Sequence, residues 1–465
     1  MTFLLLLIAL ALPAILGIAI LALVSGREAE TAGPGVSLCI AGAGIAVGVF
    51  AVTLVLRALA AASIPFGFVS AATPVAIAAI VLATMAMRGR GRATRVALND
   101  VARTLLARDH RGFRRVAWLG AVAWIALHAA LLFAEVAVRP VYAWDAWSAW
   151  ATKAKTWFAM GTLVPFTDAA GWASATTPTW FDARPTAPAT APLMQVWVAT
   201  VLGRWDDALA NLTGWLCYVA IVLTVAGETR RRGASAAAAL ASAWLVASLP
   251  LLGTQVALAG YADLPLTMFA TVGALAGFRA FATRAPTDVA TAIVALVAAI
   301  ATKESGWVWV VVFAPGFAAA ALGPRRYRSI GIALAVVALV VVGVSARGAN
   351  LAWTHGLFAY DPLGPQFLAE SVLYANWHLL APGLLAAGIL GGRRIASPEV
   401  APLGFALLAG ALWIAALVAF PVLRYFGADA LGIQRAILVL VPLAVVWMVD
   451  VSGVGRERTA MANAA

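Results

Sequence analysis

The sequence predicts an all-α polytopic membrane protein with about thirteen transmembrane helices, and three observations support this fold class. Hydrophobic residues make up 63% of the 465 residues and charged residues only 11%, with a mean hydropathy of +0.94. Apolar runs long enough to cross a bilayer recur along the whole chain. Segments of about ten residues with alternating polarity, which mark outer-membrane barrels, are missing from the sequence. A soluble domain of ordinary composition is therefore excluded.

Apolar runs of roughly 16 to 23 residues are expected to span the membrane. In chain order they cover 3–24, 36–56, 67–87, 116–138, 208–227, 235–252, 263–280, 287–302, 306–322, 329–346, 372–391, 400–420 and 434–450. The first run is too long for a signal peptide and no basic residue precedes it, so we expect it to be retained. The chain then divides into a three-helix segment, a basic loop, a transmembrane core and a tail, at 1–88, 89–115, 116–450 and 451–465.

Arginine clusters give the expected orientation. Between Arg88 and Arg115 the chain has nine arginines, and its acidic residues are Asp100 and Asp109. The positive-inside rule places such a loop in the cytoplasm. Because successive spans cross the membrane in opposite directions, counting spans from this loop puts the other arginine clusters on the same side. The N-terminus is then outside, the C-terminus is cytoplasmic, and the long loop 139–207 lies on the extracytoplasmic face of an expected bacterial inner membrane.

The net charge of +12 does not indicate nucleic acid as a partner, because the arginines lie in short breaks between apolar runs. Membrane lipids are the expected partners there. Cys39 and Cys217 fall inside predicted spans, where a buried free thiol is the usual state. No metal or other cofactor is expected, since no set of His, Cys and carboxylate residues has ligand spacing. The signatures of ATP-driven pumps, redox enzymes and zinc proteases are also missing.

A tryptophan-rich segment, 142–158, begins the large outer loop. On a helix with 100° per residue and Asp145 as the origin, Lys153 and Lys155 flank the carboxylate. The residues on the far side are Trp147, Trp150, Ala154, Trp157 and Phe158. Such an amphipathic helix is expected to lie flat in the membrane interface, with the tryptophans in the lipid boundary and Asp145 facing water.

The second half of the outer loop is expected to line a cavity. The proline-rich run 185–192 cannot be helical throughout, because each proline removes a backbone donor and restricts the residue before it. The apolar run 193–202 that follows is about half a membrane thick, so it either re-enters the membrane or lies in the interface. Irregular backbone at this depth is tolerated only against protein or a wet cavity. We therefore expect a cavity that opens outward near Asp145.

Further polar residues fall at the outer ends of predicted spans. Asp263 begins a span. A carboxylate there is either a site residue stabilised by the positive end of the helix dipole or the N-cap of the helix. Lys303 and Glu304 link two spans, and either a mutual ion pair or ligand binding explains them. Arg435 is expected to meet a lipid phosphate or to extend to bulk headgroups. All three lysines of the protein are expected on this face, either because a site there uses them or by chance.

Several stretches of the sequence resemble the bacterial GT-C fold glycosyltransferases. They are W-D-A-W-S-A-W-A-T-K-A-K, A-P-L-M-Q-V-W-V-A-T-V-L-G-R-W-D-D, G-Y-A-D-L-P-L, T-K-E-S-G and Q-R-A-I-L-V-L-V-P-L. These polytopic enzymes, which include protein mannosyltransferases and lipid A aminoarabinose transferases, use polyprenyl-phosphate-linked sugars. The resemblance covers roughly 116–450, and its most specific part is the first-loop aspartate set among tryptophans.

The resemblance implies a division of roles among these residues. The first-loop aspartate is the catalytic base in this family, which maps onto Asp145, and a second outer acidic residue maps onto Asp263. The residues expected to bind substrate are Lys153, Lys155, Lys303, Glu304, Arg435 and Tyr261, with the cations on the donor phosphate. The implied partners are a polyprenyl-phosphate-linked sugar donor and an acceptor that is an envelope glycolipid, a glycan or a protein.

The chemistry of this transfer suits the residue types present. A sugar on a lipid phosphate already has a good leaving group, so cations that neutralise the departing phosphate suffice. One carboxylate can then remove the proton of the acceptor hydroxyl, which typically contributes about 10² to 10⁴ in rate. Two alternatives remain open. One is an O-antigen ligase or polymerase-like enzyme with pyrophosphate donors, and the other is a polytopic transporter or scaffold without catalysis.

Overall fold

The computed structural model describes residues 1–25, 35–88, 112–346, 377, 380–420 and 430–453. Most of the predicted basic loop 89–115 and of the tail 451–465 lies outside these residues, as does the first part of the predicted span 372–391. Almost all of the described chain is helical. The main exception is the loop 139–207, predicted to lie outside, which contains two short parallel strands, β1 (Phe166–Thr167) and β2 (Trp180–Phe181).

The helices are numbered in chain order. In the first half they are α1 (Thr2–Val24), α2 (Val36–Ala61), α3 (Phe68–Arg88), α4 (Phe113–Val138), α5 (Thr152–Met160), α6 (Ala169–Ala173), α7 (Thr190–Leu202) and α8 (Leu212–Arg231). In the second half they are α9 (Ala236–Ala247), α10 (Pro250–Ala257), α11 (Asp263–Thr283), α12 (Pro286–Ile300), α13 (Gly306–Leu322), α14 (Tyr327–Ala346), α15 (Leu380–Gly391), α16 (Ala401–Ala419) and α17 (Ala430–Ser452).

Eight helices of the described residues are long and apolar enough to cross a membrane. They comprise α1 to α4, α11 and α16, the segment Leu209–Arg231 that contains α8, and the segment Gly432–Ser452 of α17. A ninth span results if α9 and α10, which bend by 54° at a short break, are taken together. The chain is therefore an all-α polytopic membrane protein. The other predicted spans coincide with α12 to α15, and the total of thirteen stays a prediction.

Glycines bring α1 and α2 into close contact. A Cβ on Gly17 would lie 1.8 Å from the carbonyl oxygen of Gly44, and a Cβ on Gly48 would lie 1.7 Å from that of Pro13. Residues without a side chain allow membrane helices to approach this closely. Because α2 packs in turn against α8, the N-terminal segment shares one hydrophobic core with the rest of the described chain.

The short helix α7 is enclosed by protein on every side. All of its residues are buried, and it packs against α1, α2 and α5. Trp197 Nε1, in the middle of α7, donates to the backbone oxygen of Ala9 in α1 at 2.8 Å. A helix in the membrane interface would keep one face in the lipid headgroups. Contact with lipid headgroups along one face of this segment is therefore wrong, and its re-entry into the membrane, which burial by protein would allow, stays a prediction.

The tryptophan-rich segment differs from its predicted orientation. Of the tryptophans expected in the lipid boundary, Trp150 and Trp157 are buried in the protein and Trp147 is exposed, as is Trp144. A π-helical turn at Ala146–Ala151 precedes α5. Its hydrogen bonds join residues five apart, so the side chains after it are rotated away from the 100° spacing assumed for the prediction. The predicted lipid contact of Trp150 and Trp157 is therefore wrong, and the flat placement of the segment in the interface stays a prediction.

A buried ionic network ties several helices together at one end of the bundle. Its members are Glu228 and Arg231 in α8, Arg232 directly after α8, Arg279 in α11, Asp288 in α12 and Asp450 in α17. Arg232 lies 2.7 Å from Glu228 and 3.1 Å from Asp450. Arg279 contacts Glu228 and also lies 2.9 Å from Asp288. We call this group the Glu228 network.

The opposite end of the bundle contains the predicted site. Asp263, the first residue of α11, lies about 24 Å along the helix from Arg279, at 1.5 Å per residue. In α17 the corresponding residues are Arg435 near the start and Asp450 near the end. The two helices therefore connect the predicted site to the Glu228 network.

Candidate functional site

Asp145 forms an ion pair with Arg435. Arg435 Nη1 donates to Asp145 Oδ2 at 3.0 Å, and the guanidinium carbon lies 4.4 Å from the centre of the Tyr261 ring. This contact joins the outer loop to the first turns of α17. Arg435 therefore does not extend to bulk headgroups, and Asp145 has an arginine partner where the sequence predicted Lys153 and Lys155.

A tight turn fixes the backbone next to Asp145. Ala146 and Tyr261 belong to one small buried cluster. Gly260 precedes the tyrosine with a φ of +95°, and a Cβ there would lie 3.2 Å from Ala146 Cβ and 3.1 Å from Asn211 Oδ1. This turn requires glycine, because other residues rarely adopt such a φ and a side chain would displace these neighbours.

Asp263 pairs with Lys303. Lys303 Nζ lies 2.6 Å from Asp263 Oδ1. The N-cap position of α11 is Ala262, and no side chain caps the helix. The N-cap alternative for Asp263 is therefore wrong. The alternative of a mutual ion pair between Lys303 and Glu304 is also wrong, because the lysine is paired with Asp263.

The two ion pairs belong to one group of charges. The charge of Arg435 acts on Asp263 as well as on Asp145. Burial raises the pKa of the Tyr261 phenol, although the charge of Arg435 opposes this shift, so the phenol is neutral at pH 7. We call Asp145, Tyr261, Asp263, Lys303 and Arg435 the Asp145 cluster. The sequence predicted all five residues as members of the site.

Lys153 is engaged in a different contact. Its side chain is 1% exposed, and Nζ lies 3.6 Å from Asp182 Oδ1 and 3.4 Å from the backbone oxygen of Ala187. Nζ also donates to the backbone oxygen of Arg184. Burial lowers the pKa of the Lys153 ammonium and raises the pKa of the Asp182 carboxyl, although the charge of each partner opposes the shift. With its protons directed to these groups, Lys153 fastens the loop, and the structure does not support its predicted contact with phosphate.

The other two predicted residues lie outside the Asp145 cluster. Lys155 is on the surface, 3.7 Å from the exposed Asp207, so this pair is weak. Glu304 is half-buried, and its charge acts on Lys153. Among the described residues, no hydrogen bond or ion pair of the Glu304 side chain is present. The predicted substrate roles of Lys155 and Glu304 stay predictions.

Asp182 and Arg184 were not selected from the sequence. Asp182 is fully buried, and its Oδ1 accepts the backbone N–H of Arg184 at 2.6 Å. Helical periodicity gives no signal in an irregular loop. The available signal was the tetrapeptide D-A-R-P, whose proline is the first residue of the proline-rich run. It sets Asp182 and Arg184 directly before a rigid turn. Through Lys153 these two residues fasten the loop.

Among the described residues, no group of three or more His, Cys, Asp and Glu side chains is placed to hold a metal ion. Comparison with family models, with curated proteins and with solved structures gives no match. The chemistry of the site is therefore inferred from its geometry. A partly exposed carboxylate beside enclosed cations can take a proton from a bound alcohol while an anion is held next to it.

Proposed function

We propose that this protein is a membrane glycosyltransferase that moves a sugar from a polyprenyl-phosphate donor to an acceptor hydroxyl. The main support is the Asp145 cluster, in which two carboxylates, two cations and a phenol from separate segments meet at one end of the bundle. We infer that this end is extracytoplasmic, because arginines such as Arg230 and Arg231 belong to the opposite end. A lipid-linked donor and an envelope acceptor can both reach that surface.

Exposure separates the roles of the two carboxylates. The Asp145 side chain is 28% exposed, so an alcohol can reach it, whereas the Asp263 side chain is 5% exposed and paired with Lys303. Asp145 is therefore the general base, and Asp263 positions the lysine. Arg435 is next to the base and can also contact an anion, because guanidinium groups bind phosphate oxygens through several donors.

The reaction is a single displacement. The acceptor oxygen bonds to the anomeric carbon as the bond from that carbon to the phosphate oxygen breaks, and the phosphate leaves with the electron pair. The acceptor proton passes to Asp145. The anomeric centre is inverted, and no second carboxyl group is needed as a general acid, in contrast to glycoside hydrolysis. The charge that develops on the phosphate is stabilised by Arg435 and Lys303.

The test is comparative mass spectrometry of envelope glycolipids, glycans and glycoproteins from cells with and without the gene. We expect one sugar to be lost from one class of molecule, and expression of the wild-type gene to restore it. Restoration by Asp145→Asn expressed at the same level would contradict the proposed mechanism. Identical profiles with and without the gene would contradict the proposed function.

A secondary transporter is the second candidate, and two observations favour it. Ionic clusters close both ends of the same helices, as gates on the two sides of a transport path would. The α9–α10 pair is also broken by a 54° bend, and interrupted helices are common at transporter binding sites. Against it, the polar groups lie at the ends of the helices, and the sequence has no convincing internal repeat.

Reconstitution distinguishes the two candidates. A glycosyltransferase in vesicles converts a polyprenyl-phosphate sugar to free polyprenyl phosphate when an acceptor is supplied, and it needs no gradient. A transporter moves its substrate chemically unchanged, and Glu228→Gln would then alter the transport rate. Turnover of the donor without transport would exclude the second candidate.

A further inference from the structure

Arg184 differs from the other cations of the outer loop. Each other Lys or Arg of the outer loop 139–207 contacts a carboxylate, in the pairs Arg139–Glu135, Lys153–Asp182, Lys155–Asp207 and Arg204–Asp206. Both cations of the Asp145 cluster are paired as well. The Arg184 side chain is exposed and makes no ion pair with the described residues. Its charge is therefore available to a ligand.

The backbone of Arg184 is held in place on both sides. Its N–H donates to Asp182 Oδ1 at 2.6 Å, and its carbonyl oxygen accepts a hydrogen bond from Lys153 Nζ. Both of these partners are almost completely buried. A buried ion pair that binds both peptide groups of one residue fixes the root of that side chain. The guanidinium therefore extends from a rigid base and not from a free loop.

The same loop packs against the start of α11. Ala187 lies in a buried cluster with Trp150 and with Ala262, the residue before Asp263. The charge of Arg184 accordingly acts on Asp263. Arg184 thus lies within electrostatic reach of the Asp145 cluster.

We propose that Arg184 binds the phosphate of the lipid-linked donor, positioned there by the Lys153–Asp182 pair. This inference rests on the proposed function. The donor phosphodiester has one negative charge, and the phosphate that leaves has a second one when the bond to the sugar breaks. Arg435 and Lys303 stabilise this charge but are each balanced by a carboxylate, so a further cation would supply the net positive charge that offsets the second negative charge on the phosphate. Among the described residues, Arg184 is a cation without a carboxylate partner, beside the Asp145 cluster.

The test measures binding of undecaprenyl phosphate to the full-length protein in nanodiscs. Arg184→Gln is expected to weaken this binding about ten- to a hundredfold, the range for loss of a charged hydrogen bond. Arg184→Lys is expected to recover part of the affinity, because the charge is kept but the planar donor pair is lost. Arg204→Gln is the matched control. It removes an exposed arginine of the same loop that is paired with Asp206, and it should bind like wild type.

Competition identifies the source of the phosphate. Undecaprenyl phosphate is expected to resist a large excess of phosphatidylglycerol or of inorganic phosphate. If either competes equally well, the site is a general anion site and the proposal is wrong. Wild-type affinity in Arg184→Gln would also overturn it, while the proposed function would stand. Failure of the wild-type protein to bind undecaprenyl phosphate at all would count against the proposed function itself.

Discussion

Arg435 Nη1 lies 3.0 Å from Asp145 Oδ2, although 290 residues separate the two in sequence. The contact places the proposed base against a cation that can also bind the donor phosphate. It also joins the loop 139–207 to α17, the last described helix. Substitutions at and around this contact provide the most direct tests.

Asp145→Asn is expected to lower sugar transfer by at least about 10² while the protein stays folded, because asparagine keeps the shape and loses the basic oxygen. The measurement is transfer by purified protein in nanodiscs, with thermal unfolding followed in parallel. Asp168→Asn is the control. Asp168 caps a short helix of the same loop by accepting from Gly171 N–H, and asparagine caps helices equally well. Similar losses in both variants would mean that Asp145 has no special role.

Gly260→Ala is expected to reduce both stability and transfer. The positive φ alone costs about 1–2 kcal/mol for a residue with a Cβ. The new Cβ would also displace Ala146 and with it Asp145. Gly203→Ala separates the two effects, because Gly203 has a φ of +68° and its Cβ would meet no atom within 4 Å. Both variants should lower the melting temperature, and only Gly260→Ala should lower transfer in the protein that remains folded.

Lys153→Met is expected to destabilise the protein by about 3–5 kcal/mol, because it leaves Asp182 buried without its partner. Asp182→Leu should be similarly costly. The double variant should regain part of the loss, since replacing both members of a buried pair by apolar groups is often tolerated. Thermal unfolding of the wild type and the three variants gives the interaction energy of the pair. Strictly additive losses would show that the pair does not act as a unit.

Glu228→Gln is expected to lower the melting temperature strongly. It leaves two buried arginines, Arg232 and Arg279, with less negative charge to balance them. Glu135→Gln is the control. Glu135 forms an exposed pair with Arg139, and such pairs contribute at most about 1 kcal/mol. Equal melting temperatures for the two variants would mean that the Glu228 network adds little to stability.

Ser174→Cys is expected to react with an impermeant maleimide in intact cells, and Arg325→Cys only after lysis. Both positions are exposed, in the outer loop and between α13 and α14 respectively. The native cysteines Cys39 and Cys217 are buried and give a low background. The reverse labelling pattern would place the Asp145 cluster on the cytoplasmic face, and the proposed extracytoplasmic reaction would be excluded.

The helices were predictable from the sequence because long apolar runs have one stable form in a bilayer. The described part of each predicted span coincides with a helix or a pair of helices. The break within 235–252 was missed. The helix α9 ends at Ala247, Ser248 and Leu249 form the break, and Pro250 begins α10 at a position where helices tolerate proline.

The members of the site were easier to predict than their partners. Asp145 stood out in the tryptophan-rich segment, and Asp263, Lys303 and Arg435 stood out as charges at the ends of apolar runs. Their pairing depends on contacts between residues 40 and 290 positions apart, which no local pattern encodes. Lys153 was misplaced because the π-helical turn before it changes the helical phase.

The ionic clusters at the two ends of α11 and α17 also fix the distance between the two charged ends of the bundle. Asp263 and Arg279 lie about 24 Å apart along one helix, and Arg435 and Asp450 about 22 Å apart along the other, at 1.5 Å per residue. The hydrocarbon core of an average bilayer is about 30 Å thick. Since all four residues are fixed by ion pairs, we expect the bilayer around the bundle to become thinner so that its polar surfaces meet the two clusters. Short-chain lipids would fit this dimension without strain, whereas a thick bilayer would be deformed around the protein.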